Sequence, residues 1–322
     1  MSRLRVAVLR GGPSSEYDVS LATGRSVLTH LDEDRYQPLD VLITRDGVWH
    51  FRGMPVEPER VARQADVVVN ALHGSYGEDG GVQRVLESLR IPYTGSRAVP
   101  SAAAMHKAVA KEYLRAHGVK TPRHVVFPVS HDLNQRVVEL FRNFPQPSVI
   151  KPVNAGSSVG VTVARTFAEF ENGIVHGFQF SPTLLIEEYI VGREATCGVV
   201  DQFRGEDTYA LFPIEIVPPR ENAFFDYHAK YSGASDEICP GRFSASEKKE
   251  IQDLALLAHQ SLGLRHYSRS DFIVSPRGVY FLEVNTLPGL TEQSLVPKAL
   301  AAHGVSLPEF LDHVINLAVA ER

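Results

Sequence analysis

Residues Tyr280 to Thr291 read YFLEVNTLPGLT. The segment begins as a buried strand and ends in a Pro-Gly turn, yet it carries two oxygen-bearing side chains, Glu283 and Asn285. Residues i and i+2 of a strand point to the same side of a sheet. Glu283 and Asn285 are therefore expected on one face, with Leu282 and Val284 on the other. Just upstream, RSDF (Arg269 to Phe272) reads as a neighbouring strand, joined to the first through SPRG. In an antiparallel pair, Asp271 is placed to meet Glu283 across the ladder. With Asn285 they form an all-oxygen set suited to Mg²⁺, phosphate oxygens completing the shell. The alternative is a carboxylate that only pairs with Arg269, an arrangement that has no need of Asn285.

The chain of 322 residues is too long for one typical core, so two or three domains packed as one body are expected. Apolar residues make up 43% and charged residues 22%, as in an ordinary globular protein. A net charge of −5 argues against a nucleic-acid surface. Cys197 and Cys239 share no short spacing, which speaks against a disulfide framework or a Cys-rich zinc site. No signal-peptide pattern opens the chain, and no apolar run is long enough to span a bilayer. These features predict a cytoplasmic protein that engages neither nucleic acid nor membrane.

Toward the N-terminus, LRVAVLRGG (Leu4 to Gly12) reads as a buried parallel strand running into a tight loop. SSEYDVSLATGRSVLTHL follows as a helix with a serine cap and Leu21, Leu28 and Leu31 on one face. Asp46-Gly47 marks a hairpin, and ADVVVNALHG a further buried strand ending in a glycine-rich loop. This order predicts an open α/β domain to about residue 100, with RGGPSSE and HGSYGEDGG at the ligand-binding strand ends. From Ser101 to Gly118 the pattern is helical. Beyond Pro122 short strands dominate, with a helix from about Ser246 to Leu262 and a last one from roughly Leu307 to Val319. A polar loop around Phe224 to Pro240 is expected to close as a lid.

Several segments carry candidate chemistry. KPVNAGSSVGV (Lys151 to Val161) sets a lysine at a strand end before a glycine-flanked Ser157-Ser158 pair. That pattern suits an anion cradle and equally a plain hairpin turn. In LIEEYIVGRE, Glu187, Glu188 and Glu194 read either as a solvated acidic edge or as a linker between lobes that contacts adenine and ribose. HGSYGEDG offers His73, two acids and three glycines, the glycine density favouring close backbone approach to a ligand. Glu16 reads here as a first-turn helix acid, stabilised by the helix dipole.

Taken in order, GGPSSEYDVSLATG, HGSYGEDGGVQ, PYTGSRAVPSAAAMHK, IKPVNAGSSVGV, IEEYIVGRE, FFDYHAKYSGASDEICP, RSDF and FLEVNTLPGLTEQSLVP resemble the D-alanine–D-alanine ligases of the ATP-grasp superfamily. The resemblance spans nearly the whole chain. It implies an α/β protein in which an ATP-grasp fold follows an open, Rossmann-like α/β N-terminal domain. The expected divisions are 1–100 for the N-terminal domain, 101–183 for the central subdomain and 184–322 for the C-terminal ATP-grasp domain. It further implies an ATP-dependent ligase that joins two D-alanines through an acyl phosphate for peptidoglycan precursor synthesis. ATP and two Mg²⁺ ions (Mn²⁺ in their place) would serve it, in a homodimer formed through the N-terminal domain.

By motif position, Glu16 resembles the residue that binds the ammonium of the first D-alanine, with Ser157 and Tyr231 as its partners. His73 resembles a residue near that substrate. Arg269 and the backbone N–H of Gly289 match the oxyanion stabilisers, and Ser294 and Leu295 the segment receiving the second carboxylate. Lys107, Lys151 and Lys230 resemble phosphate-binding lysines, with Ser157 and Ser158 in the loop over the phosphates. Glu187, Glu188 and Ile190 match the adenine-contacting stretch and Glu194 the ribose acid. Asp271, Glu283 and Asn285 match the magnesium ligands. Two departures stand out: His106 replaces the family's usual Asp before Lys107, and Arg84 replaces a glycine. The pair Lys230-Tyr231 favours an amine nucleophile over D-lactate, while D-serine differs by a single hydroxyl that small pockets reject weakly. A nucleotide-binding module without catalysis is the alternative of another class. Loss of Arg269, Glu283 or Glu16 would point to it, and all three are present.

Overall fold

The computed structural model describes residues 3–218 and 235–321. Its first strand, β1 (Leu4–Gly11), is apolar on both sides and uses both: Val6 and Val8 enter one core, Ala7 and Leu9 another. A strand buried on two faces belongs in the middle of a parallel sheet. β2 (Tyr36–Ile43) and β5 (Val67–Asn70) flank it in parallel, while β3 (Trp49–Phe51) and β4 (Met54–Pro55) extend the edge antiparallel. The order is β4-β3-β2-β1-β5.

The helix after β1, α1 (Tyr17–His30), departs from expectation at its start. No side chain caps it. Ser14 instead accepts the Glu16 N–H at 3.1 Å and donates to the carbonyl of His73 at 2.6 Å, tying two loops together rather than starting the helix. The buried face is wider than the leucine row: Ser20, Thr23, Gly24 and Val27 are buried, Leu31 is buried just past the helix end, Leu28 packs half-buried against the same core, and Leu21 lies half-buried. Small residues let α1 lie against β1, since a Cβ on Gly24 would come 2.5 Å from the Arg10 Cβ. After α2 (Pro58–Ala62) and α3 (Gly81–Ser88), the helical pattern over 101–118 takes the form of two helices, α4 (Ala98–Met105) and α5 (Lys107–Ala116). His106 breaks them apart with ψ 91°, and its Nδ1 accepts the Val109 N–H at 3.3 Å. The histidine therefore does what a short acid does at an N-cap. Arg84 is exposed.

The second sheet contains β6 (His124–Pro128), β7 (Ser148–Pro152), β8 (Thr162–Ala164) and β9 (Thr183–Glu188) in the order β6-β9-β7-β8. Two helices, α6 (Leu133–Asn143) and α7 (Phe167–Gly177), contribute to its core. The division expected after residue 183 falls inside this sheet. β9 is hydrogen-bonded on both sides, to β6 and β7, so the central unit runs on to Glu188.

The third sheet is antiparallel. It contains β10 (Arg193–Phe203), β11 (Glu206–Ala210), β12 (Ile214–Val217), β13 (Asp236–Ile238), β14 (Tyr267–Ser275) and β15 (Gly278–Asn285). The loop expected around 224–240 lies mostly outside the described residues. A capping box at Ser244 and Glu247 opens α8 (Ala245–Ser261), and α9 (Leu295–Ala302) and α10 (Leu307–Ala320) complete the described helices.

In β15 the expected alternation is broken. The ladder pairs Asp271 with Glu283 but Phe272 with Phe281, so Leu282 is an extra residue, a β-bulge. Val279, Phe281 and Val284 enter one core, while Tyr280 and Leu282 face the opposite side with Ile190 and Ile273. Leu282 thus shares a side with Glu283 instead of opposing it.

Phe310, Leu311, Val314, Ile315 and Ala318 of α10 share one core with Val6, Val8, Val67 and Val69 of the first sheet. Among the described residues, no helix is long and apolar enough to cross a membrane. Phe310 is fully buried, with its ring 5.4 Å from that of Tyr267. Phe310→Ala is expected to cost about 3–5 kcal/mol through the cavity it leaves, read as a lower urea midpoint at unchanged slope.

Candidate active site

Two cavities adjoin in the middle of the molecule. One, of about 320 Å³, lies between the second and third sheets. The other, of about 540 Å³, is lined by the loops after β1 and β5 and by the segment from β15 to α9. Lys107, Arg269, Glu283 and Leu295 line both.

The first cavity has an apolar patch made by Ile190, Ile273 and Leu282, backed by Tyr280, and a charged wall. In that wall Glu187 is 2% exposed, with one carboxylate oxygen 2.8 Å from Lys111 Nζ and the other 2.6 Å from Lys151 Nζ. Burial pushes the Glu187 carboxyl up, but the two lysines overcome it and hold it below the usual carboxylate value. Lys111 is completely buried, and burial pushes its ammonium down to about 8 against the pull of Glu187. The Glu188 carboxylate accepts the Arg123 N–H at 3.1 Å and lies 3.6 Å from Arg277. Glu194 and Ser158 also line this cavity.

At the wall common to both cavities, Asp271 lies directly opposite Glu283, and Arg269 opposite Asn285. The Asp271 carboxylate accepts from Arg269 Nε at 3.0 Å and from Thr196 Oγ1 at 2.6 Å. Glu283 lies 3.1 Å from Lys107 Nζ, which also donates to the Ala155 carbonyl at 2.6 Å. Asn285 Oδ1 accepts the Leu287 N–H at 2.9 Å, fixing the start of the turn toward Gly289. The two readings of Asp271 therefore coexist: it is paired with Arg269 and it stands beside Glu283.

In the second cavity, Glu16 is buried at the cap position of α1 and accepts a hydrogen bond from Ser157 Oγ. Its carboxylate fits between two glycines. A Cβ on Gly74 would lie 2.8 Å from Glu16 Oε2, and one on Gly156 2.7 Å. Ser157 and Ser158 both hold left-handed backbone, φ 49° and 58°, which costs side-chain-bearing residues energy and is typical of binding loops. The His73 ring is buried between Thr23 Oγ1, 2.8 Å from Nε2, and Glu78, 3.8 Å from Nδ1. Opposite, Gly289 leaves room for Ser294, whose Oγ would sit 2.9 Å from a Cβ there. Ser26 of α1 braces this turn by donating to the Leu290 carbonyl at 2.8 Å.

The fold thus gathers Glu16, His73, Ser157, Gly289, Ser294 and Leu295 around one cavity. Lys151, Ser158, Glu187, Glu188, Ile190 and Glu194 line the other, and Asp271, Glu283 and Asn285 stand at their junction. Lys230 and Tyr231 lie outside the described residues. Three contributors escaped the sequence reading: Lys111, Thr196 and Thr23. Lys111 had a signal, since it falls four residues after Lys107 on one helix face. Thr196 and Thr23 act through strand pairing and helix docking that no local pattern announces.

The chain is similar to known proteins along nearly its whole length. A model described as D-ala D-ala ligase C-terminus matches residues 113–316, and one described as D-ala D-ala ligase N-terminus matches 5–60 and 53–96. A D-alanine–D-alanine ligase of Desulfotalea psychrophila is 40% identical over 98% of this chain and 95% of its own. Among solved structures, the VanG D-Ala:D-Ser ligase of Enterococcus faecalis superposes with a TM-score of 0.86. Its identity is 30%, over 98% of this chain and all of its own. The Bacillus anthracis D-alanine–D-alanine ligase complexed with ATP gives a TM-score of 0.78 at 30% identity, covering 99% of this chain and 98% of its own.

The buried lysine pair generates a test. Lys111→Met leaves Glu187 with one cation and is expected to lower unfolding free energy by about 3 kcal/mol at neutral pH. Between the folded value of about 8 and the ordinary 10.5, the unfolded chain binds the additional proton at Lys111. Stability from this group therefore rises with pH across that window. Urea midpoints at pH 7.5 and 10 should show this increment in the wild type and not in the variant.

Proposed function

The chain belongs to the D-alanine–D-alanine ligase family, and we propose from that premise how its residues divide the work. The protein has an ATP-grasp fold and joins two D-alanines to D-alanyl-D-alanine at the expense of ATP, a reaction of peptidoglycan synthesis. A carboxylate is a poor electrophile until it carries a good leaving group. One D-alanine is therefore phosphorylated, and the amine of the second displaces phosphate from the acyl phosphate. Two anions must meet for the first step, so cations must stand between them.

The observation that carries the residue assignment is the common wall. Lys107 and Arg269 face both cavities, where a terminal phosphate from one side and a substrate carboxylate from the other would come together. In this reading ATP takes the first cavity. Its adenine lies on the Ile190, Ile273 and Leu282 patch near Glu187 and Glu188, its ribose at Glu194, and its phosphates at Lys107, Lys151 and the Ser157-Ser158 loop. Glu16, oriented by Ser157, takes the ammonium of the first D-alanine, and His73 stands beside that substrate. Arg269 and the Gly289 N–H face the oxyanion, and Ser294 and Leu295 receive the second carboxylate.

Asp271, Glu283 and Asn285 fit magnesium: they are hard oxygen donors on paired strands beside the phosphate lysines, a set that also accepts manganese. A bound ion there would neutralise phosphate charge. The proposal includes two such ions, which Asp271, Glu283 and Asn285 would hold. It also includes a cytoplasmic location, supported by the unpaired thiols Cys197 and Cys239, and a homodimer formed through the N-terminal domain.

D-serine at the second position is the rival reading, kept by the likeness to a D-Ala:D-Ser ligase. Purified protein with D-alanine, ATP and Mg²⁺ is expected to release phosphate and form D-alanyl-D-alanine, with less mixed product from D-serine. No phosphate release with any D-amino acid would sink the assignment. Glu283→Gln is expected to lower turnover by about a hundredfold or more and to weaken Mn²⁺ binding in the presence of ADP.

A further inference from the structure

Lys298 has no role in the division above, yet it lines the second cavity. It sits one turn after Ser294 on α9, its backbone N–H donating to the Ser294 carbonyl at 3.1 Å. Residues 294, 295 and 298 therefore contribute one end of a helix to the cavity wall. Lys107 and Arg269 line both cavities, whereas Lys298 lines the second alone. Its ammonium is 2.5 Å from the carboxylate of Glu237 on β13, with side-chain exposures of 32% and 16%. The same cavity also carries Glu16, Glu78 and Glu283, so an entering anion meets a negative lining and needs a cation to hold it.

The two substrates differ in what becomes of their carboxylates. The first is consumed by phosphorylation, while the second keeps its charge throughout. A fixed ammonium suits the second, and its three donors let it turn from Glu237 to a ligand without losing both. We propose that Lys298 is a specificity-determining residue of the second subsite. It binds the unreacting carboxylate of the second amino acid, and Glu237 is the counter-ion that holds it beforehand. This assignment rests on the ligase reading.

The test is a competition with the full chain, ATP, Mg²⁺, D-alanine and D-alaninamide. The amide carries the attacking amine but no carboxylate. The ratio of D-alanyl-D-alanine to D-alanyl-D-alaninamide reports discrimination at the second subsite alone, because both products share the first substrate and the phosphoryl step. Lys298→Met is expected to lower that ratio about tenfold, as loss of a charged hydrogen bond implies. Lys298→Arg should keep most of it, and Glu237→Gln should raise it. An unchanged ratio in Lys298→Met overturns the proposal. Should that variant be insoluble, Glu237→Gln decides, an unchanged or lowered ratio counting against Lys298. Wild-type protein that makes neither product overturns the ligase reading and this subsite with it.

Discussion

Leu282 stands outside the register of β14, and that offset turns the charged end of β15 toward the cavities. Before it, Val279 and Phe281 fill a core while Tyr280 and Leu282 face out of it. Strict alternation would then send Glu283 into the apolar core beside Phe281, where an unpaired carboxylate is very costly. The bulge advances the strand by one residue. Val284 takes the core position, and Glu283 and Asn285 join the face that Asp271 and Arg269 already occupy. A single added residue thus decides whether the two strands present a cluster of oxygen ligands or a disrupted core.

The charges so placed are balanced before any ligand arrives. Lys107 holds Glu283, Arg269 holds Asp271, and Glu187 sits between Lys111 and Lys151. Burying these groups costs several kcal/mol per ion, and only pairing makes their presence tolerable. Two lysines on one glutamate leave a surplus of positive charge at that point of the wall alone, around Glu187. That surplus suits an anionic ligand, since the lysines need not be stripped of their only partner to meet it.

Much of this was legible in the sequence where chemistry is local. The apolar runs of β1 and β5, the Asp46-Gly47 turn and the helices α8 and α10 announce themselves by pattern. Asp271, Glu283 and Asn285 could be grouped because strand pairing follows from two neighbouring runs and a short turn. The misses share a physical cause, dependence on a partner distant in sequence. Leu28 and Leu31 meet the core as their spacing announces, but the close approach of α1 to Arg10 through Gly24 has no such announcement. Residues 165–182 separate β9 from β8, yet β9 completes the earlier sheet by inserting between β6 and β7, which no residue pattern near 183 reveals. The bulge is a mismatch between two strands and has no signature in either one.

The last long helix also has a bearing on how the chain is made. β1 and β5 leave the ribosome early, but one side of their sheet is covered by Phe310, Leu311, Val314 and Ile315 of α10. During synthesis Val27 and Leu31 around α1 reach that side early, but the part that α10 covers waits while some two hundred and forty residues between Asn70 and Phe310 are added. An N-terminal α/β unit would ordinarily be expected to fold first and wait for the rest. Here the opening unit is finished only when the closing helix arrives, so the nascent chain carries an unfinished sheet through most of its translation.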